Sequence, residues 1–163
     1  MNPILNESLE QNENEPLKRY YSFKEIEDMC WKLGEELTDL EFDGIVTMPL
    51  GGMVPACFLG KILQIKNIIT LNTNYYDGEE RLDTLLILDD PDILPREKKL
   101  LLVDDIVDSG TTMRTVLGML EERGNSVTSA ALHYKPSKSK NMKPDFYGEA
   151  VDEWIVYPWE INE

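Results

Sequence analysis

One stretch constrains this chain more than any other. Leu100-Leu101-Leu102-Val103 is a continuous apolar run, the carboxylates Asp104 and Asp105 follow at once, and Asp108-Ser109-Gly110-Thr111-Thr112 then opens a segment with Met113, Val116, Leu117 and Leu120 at helical spacing. An apolar run without alternation is the pattern of a strand covered on both faces, as in the middle of a parallel sheet. A helix directly behind it is half of a strand–helix–strand crossover. Gly124 stands where such a helix takes its C′ glycine, and residues 127–133 read as the returning strand.

The rest of the chain repeats the alternation. Ser22 and Glu25 form a capping box, and Ile26, Met29, Cys30, Leu33 and Leu37 follow at helical spacing, which predicts a helix over residues 23–39. Residues 44–48 read as a strand, 54–64 as a helix, 68–71 as a strand, and 154–157 as a last short strand. Residues 1–16 are polar and acidic with no apolar face and are expected to be disordered. Residues 17–163 are expected to form one folded domain. Residues 73–98 are Asp-rich, punctuated by Gly78, Pro91 and Pro95, and have the length of a functional flap. Strands alternating with helices imply an α/β fold with a mainly parallel sheet. Ligands in such folds lie at the carboxyl ends of the strands, and residues 49–52, 104–112 and 134–136 all fall there.

Charge removes whole classes of function. Lys plus Arg number 16 and Asp plus Glu 31, a formal net charge of −15. That excludes a nucleic-acid partner bound through its phosphates and an anionic membrane surface. No apolar run approaches the ~20 residues of a membrane span. The N-terminus lacks the basic and apolar blocks of a secretory signal, so a cytoplasmic location is expected. Cys30 and Cys57 sit among apolar helical residues and read as core side chains in a reducing compartment, with Trp31 read as core beside them.

The acidic strand and its turn fit a sugar phosphate. Small residues before a helix aim backbone N–H groups at one point, where the helix dipole adds positive potential. The hydroxyls of Ser109, Thr111 and Thr112 add donors, so a phosphate can be cradled without a lysine. Asp104 and Asp105 cannot bind phosphate, but they can accept from ribose hydroxyls or hold hydrated Mg²⁺. A site with both halves wants a ligand with a phosphate, a diol and a metal. The plain alternative is that Asp108 and Ser109 only cap the helix; one cap does not need three carboxylates.

Residues 101–112, Leu-Leu-Val-Asp-Asp-Ile-Val-Asp-Ser-Gly-Thr-Thr, resemble the phosphoribosyl-pyrophosphate motif of type I phosphoribosyltransferases. The resemblance implies a Rossmann-like parallel sheet flanked by helices, with a small flexible hood at about residues 73–98. It implies that Asp104 and Asp105 bind the ribose hydroxyls and Mg²⁺. Asp108, Ser109, Gly110, Thr111 and Thr112 would bind the phosphoribose, and Asp108 would lie near purine N7 as the proton-transfer group. Tyr134-Lys135-Pro136 and residues 154–160 resemble the base-binding elements of short xanthine-guanine and hypoxanthine phosphoribosyltransferases. By that match Lys135 donates to a 6-oxo group, Trp154 stacks on the ring, and the backbone at Trp154 and Ile155 faces the purine 2-position. Against these stand a solvated lysine beside Lys138, Lys140 and Lys143, and a core tryptophan. Trp159 reads as packing, and His133, the one histidine, has no assigned role.

Leu50, Gly51 and Gly52 resemble the family loop that grips pyrophosphate. Relatives of the xanthine-guanine kind generally have Arg where this chain has Leu50, so pyrophosphate must lean on backbone N–H groups and Mg²⁺. Tyr76-Asp77 resembles the Ser-Tyr-type hood segment that closes over the reacting atoms, with Tyr75 where that segment has Ser, and Arg81 would supply charge on closure; the plain alternative is an ordinary two-stranded flap. The activity implied is transfer of phosphoribosyl to N9 of a 6-oxopurine, in purine salvage, by a homo-oligomer. Two alternatives stay open: a sensor that binds the sugar diphosphate without turnover, which Leu50 motivates, and a transferase for another base.

Overall fold

The computed structural model describes residues 17–75, 85–87, 94–140 and 142–160. Ser22 caps the first helix as its neighbours predict: its hydroxyl accepts from the Glu25 N–H, and the Glu25 carboxylate accepts from the Ser22 N–H at 2.8 Å. The helix, α1, runs Phe23–Leu37 and buries Ile26, Met29, Cys30, Leu33 and Leu37 on one stripe. Trp31 falls off that stripe and is 51% exposed, so it is not a core residue. Cys57 likewise lies off the buried face of α2 (Met53–Ile62) and is exposed, whereas Cys30 is buried and its thiol is pushed up to about 12 by burial. Helical phase, not local apolarity, decides both corrections.

The main sheet has five parallel strands, and each is named here in chain order. They are β2 (Gly44–Thr47), β3 (Ile68–Thr70), β6 (Lys99–Val107), β7 (Ser126–Tyr134) and β8 (Phe146–Ala150), arranged β3-β2-β6-β7-β8. Side chains alternate between its faces. Ile45, Leu101, Val103, Ala130 and Leu132 join the core under α1 and α2. Val46, Leu100, Leu102 and Ala131 join the core that includes Met113, Val116 and Leu120 of α3 (Thr111–Glu121). Both faces are covered, which is why β6 reads as unbroken leucine in the sequence. Each fully buried leucine contributes about 1.5–3 kcal/mol.

Two smaller pairs complete the fold. β1 (Lys18–Tyr20) runs parallel to β9 (Trp154–Val156), and β4 (Thr73–Tyr75) runs antiparallel to β5 (Leu85–Ile87) within the expected hood. Tyr76, Asp77 and Arg81 and the N-terminal residues 1–16 lie outside the described residues. Among the described residues no helix is long and apolar enough to cross a membrane.

From β2 the chain steps outward to β3, then returns to the other side of β2 with β6 and steps outward again through β7 and β8. The order therefore reverses between β2 and β6, and the carboxyl ends of these two strands form the crevice where α/β sheets bind ligands.

Candidate functional site

The acidic pair does not end its strand. β6 continues through Asp104 and Asp105 to Val107, with Asp104 opposite Ala131, Ile106 opposite His133 and Val107 opposite Tyr134. Pairing with β7 overrides the low strand propensity of Asp. Each carboxylate accepts from the next backbone N–H: Asp105 N–H donates to Asp104 Oδ1 at 3.0 Å, and Ile106 N–H to Asp105 Oδ1 at 2.8 Å. Burial, and then the Asp105 charge beside it, push the Asp104 carboxyl well above the carboxylate range. Burial also pushes Asp105 up to about 6, with the bond from Ile106 N–H pulling the other way. Two crowded carboxylates that resist ionising together form a donor set that a hard cation relieves.

The glycines of the β2–α2 loop lie directly on this pair. A methyl added at Gly51 would overlap the Asp105 carboxylate, and one at Gly52 would overlap Thr47 Oγ1 and press on Asp104. Before them Leu50 is 84% exposed and holds φ at 70°. That conformation costs a non-glycine residue roughly 1–2 kcal/mol, and it turns the loop toward the acidic strand.

After β6 the turn Asp108-Ser109-Gly110 leads into α3. The N-cap is Gly110, with φ 80° and no side-chain cap of its own, so helix capping does not account for Asp108. A side chain at Gly110 would collide with Met142 and Ser139. Ser109 Oγ accepts from Thr111 N–H at 3.3 Å and lies 3.2 Å from Thr111 Oγ1. A cleft of about 440 Å³ opens here, lined by Asp104, Asp108, Ser109, Gly110 and Thr112 among others. A second, of about 420 Å³, opens over Ser109, Gly110 and Thr111.

Lys135 follows β7 and is only 3% exposed, so it is not a solvated loop lysine. Its Nζ lies 3.4 Å from Asp108 Oδ2 and 5.6 Å from the centre of the Trp154 ring. Trp154 is 40% exposed, with ring area left open, while Ile155 beside it is buried. Lys138, which the sequence showed only as one of several lysines, puts its Nζ 3.6 Å from Asp108 Oδ1. The turn bearing both lysines is fixed by Asp152, whose carboxylate accepts from Ser137 N–H at 3.0 Å and Ser137 Oγ at 2.7 Å. Those bonds hold the Asp152 carboxyl below its ordinary value. Asp108 thus stands where the small-residue turn meets the lysine and the indole. Gly51 and Gly52 lie against Asp105 and Asp104, with the exposed Leu50 preceding them.

Residues 16–162 match the phosphoribosyl transferase domain. The chain belongs to the phosphoribosyltransferase family. A xanthine-guanine phosphoribosyltransferase of Idiomarina loihiensis is 30% identical over 145 residues, which are 88% of this chain and 87% of that one. A purine phosphoribosyltransferase from Pyrococcus horikoshii superposes with a TM-score of 0.76 at 27% identity, over 90% of this chain and 96% of the other. A Neisseria gonorrhoeae protein, described as hypothetical and with bound ppGpp, superposes with a TM-score of 0.80 at 28% identity over 90% of each chain.

Proposed function

We propose that the protein transfers the phosphoribosyl group of phosphoribosyl pyrophosphate to N9 of a 6-oxopurine, releasing pyrophosphate. The observation that carries this reading is the meeting of Lys135, Trp154 and the phosphate-turn residue Asp108, with Lys135 Nζ 3.4 Å from Asp108 Oδ2. The xanthine-guanine relatives support the choice of base.

In this reading Ser109, Gly110, Thr111 and Thr112 bind the 5′-phosphate, and Asp104 and Asp105 accept from the ribose hydroxyls. The backbone of Leu50, Gly51 and Gly52 binds the pyrophosphate. Trp154 stacks on the purine, Lys135 donates to its 6-oxo group, and the backbone of Trp154 and Ile155 faces the 2-position. The bond from ribose C1 to pyrophosphate oxygen breaks with its electron pair leaving on oxygen, N9 bonds to C1, and Asp108 takes the proton from N7. Holding the two reactants in line supplies much of the rate. Asp104 and Asp105 are the residues that would hold Mg²⁺, which when bound neutralises charge on the diphosphate. The family resemblance further supports a cytoplasmic homo-oligomer.

A second reading is a nucleotide sensor. ppGpp, bound by the Neisseria gonorrhoeae neighbour, has a 6-oxopurine, a ribose and diphosphate groups, the chemical parts this site is built to meet. Leu50, which supplies no charge to a diphosphate, favours binding without fast turnover. Initial rates with guanine, xanthine, hypoxanthine and adenine separate the two: product from 6-oxopurines supports the transferase, and tight binding without product supports the sensor.

A further inference from the structure

His133 is the one histidine of the chain and takes no part in the scheme above. It is fully buried, and its Nδ1 lies 2.8 Å from the Tyr157 hydroxyl. Tyr157, also buried, places that hydroxyl 3.0 Å from the backbone carbonyl oxygen of Asp105.

Chemistry fixes the direction of both bonds. A carbonyl oxygen has lone pairs and no proton, so the Tyr157 hydroxyl donates to Asp105. A phenol has one proton, so toward His133 the Tyr157 oxygen is an acceptor. His133 must therefore carry its proton on Nδ1. Burial pushes the imidazole down to about 3, so the ring is neutral and Nε2 is bare. Independently, Nε2 is a buried atom with no hydrogen-bond partner among the described residues, and the ring packs against Tyr21 with centroids 4.4 Å apart. A buried Nε2 without a partner is the arrangement that an Nδ1–H tautomer leaves behind.

The bonds join parts of the molecule that the main sheet does not. Asp105 belongs to β6, His133 to β7, and Tyr157 follows β9, whose strand partner is β1. β9 carries Trp154 and Ile155, the base-binding side of the site; β6 carries the acidic pair. We propose that His133 and Tyr157 are positioning residues, a one-way relay from His133 Nδ1–H through the Tyr157 hydroxyl to the Asp105 carbonyl that sets the base-binding strand against the acidic strand. The catalytic consequence rests on the transferase reading; the direction of the relay does not. Each half of the site is built from its own residues, so each half binds its own substrate without the relay. Alignment of N9 with C1 is what the relay protects, and a misplacement of about 1 Å can cost a hundredfold in rate.

The single histidine makes the test clean. A tag-free, uniformly ¹⁵N-labelled chain gives one imidazole in a long-range ¹H–¹⁵N spectrum at neutral pH. The expected result is a protonated Nδ1 and a bare Nε2. An Nε2–H tautomer, or a charged ring, overturns the relay. Tyr157→Phe keeps the ring and removes the hydroxyl. It is expected to lower kcat about ten- to hundredfold, while the Kd of phosphoribosyl pyrophosphate alone and of guanine alone each stay within about threefold. His133→Asn puts an amide donor near the position of Nδ1 and should keep kcat within about threefold of the parent, whereas His133→Leu should match Tyr157→Phe. Parent-like turnover by Tyr157→Phe, equal effects of Asn and Leu at 133, or loss of both substrate affinities would each overturn the positioning role. If the unsubstituted protein turns over no 6-oxopurine, the transferase reading fails while the spectrum still decides the relay.

Discussion

Replacing Lys135 by Met probes the base-binding proposal most sharply. The unbranched stem is kept, so the volume beside Trp154 is filled, and only the ammonium is lost. The side chain that carries it is 3% exposed, and Nζ lies 3.4 Å from Asp108 Oδ2. Asp108 does not lose all pairing, because Lys138 Nζ remains 3.6 Å from its other oxygen. The melting temperature should therefore move by only about 3 °C, as for loss of a single partly exposed ion pair. A charge-assisted bond to a purine oxygen is worth about 1.5–3 kcal/mol, and each 1.36 kcal/mol is tenfold, so kcat/KM for guanine and hypoxanthine should fall about 10- to 150-fold. Adenine presents an amino donor where these present an acceptor, and the ammonium opposes it. Its kcat/KM should stay the same or rise. The assay is initial rate against base concentration, with phosphoribosyl pyrophosphate saturating. An equal loss for adenine and the 6-oxopurines would refute the reasoning, as would a loss confined to the KM of phosphoribosyl pyrophosphate.

Leu50→Arg leaves φ at 70° no more strained than before, since both residues carry a Cβ; an exposed charge beside a diphosphate is worth up to ~1 kcal/mol, so the KM of phosphoribosyl pyrophosphate should fall about two- to fivefold. An unchanged KM would place residue 50 away from the diphosphate. Burial raises both Asp104 and Asp105, the latter to about 6. The folded state thus holds protons on them that the unfolded chain has lost: Asp105 costs the ligand-free protein stability as pH rises from about 4 through 6, and Asp104 adds to that loss as it ionises. A divalent cation needs the pair ionised, so Mg²⁺ affinity measured by calorimetry should rise from pH 5 to pH 8, with protons released near pH 6. A flat affinity would remove this pair as the metal site. Cys57 is exposed and Cys30 is buried with its thiol pushed up to about 12, so a thiol reagent should titrate one group in the native protein and a second only after denaturation.

The small-residue turn and the strand before it were legible in the sequence because they are local: their residues are contiguous and their pattern is specific. Strands β1 and β8 were not. Lys18–Tyr20 is wholly exposed and Phe146–Ala150 is short and half-buried, so neither has the apolar pattern by which a strand is recognised. Both form through partners distant in sequence, Trp154–Val156 for β1 and β7 for β8. The extension of β6 through Asp104 and Asp105 was hidden for the same reason, since only pairing with β7 keeps aspartates in a strand. Trp31 and Cys57 fall off the apolar stripes of their helices, a signal the sequence did contain. The burial of Lys135 and the approach of Lys138 to Asp108 depend on a turn held by Asp152. The His133–Tyr157–Asp105 bonds span 24 and 52 residues, which no local pattern reports.

The most direct measurement is nucleotide formation by the purified protein with phosphoribosyl pyrophosphate and Mg²⁺, with guanine, xanthine, hypoxanthine and adenine supplied one at a time. The account predicts product and pyrophosphate from at least one of the three 6-oxopurines, at a kcat/KM far above that for adenine. Folded protein that binds phosphoribosyl pyrophosphate but turns over no base would contradict it.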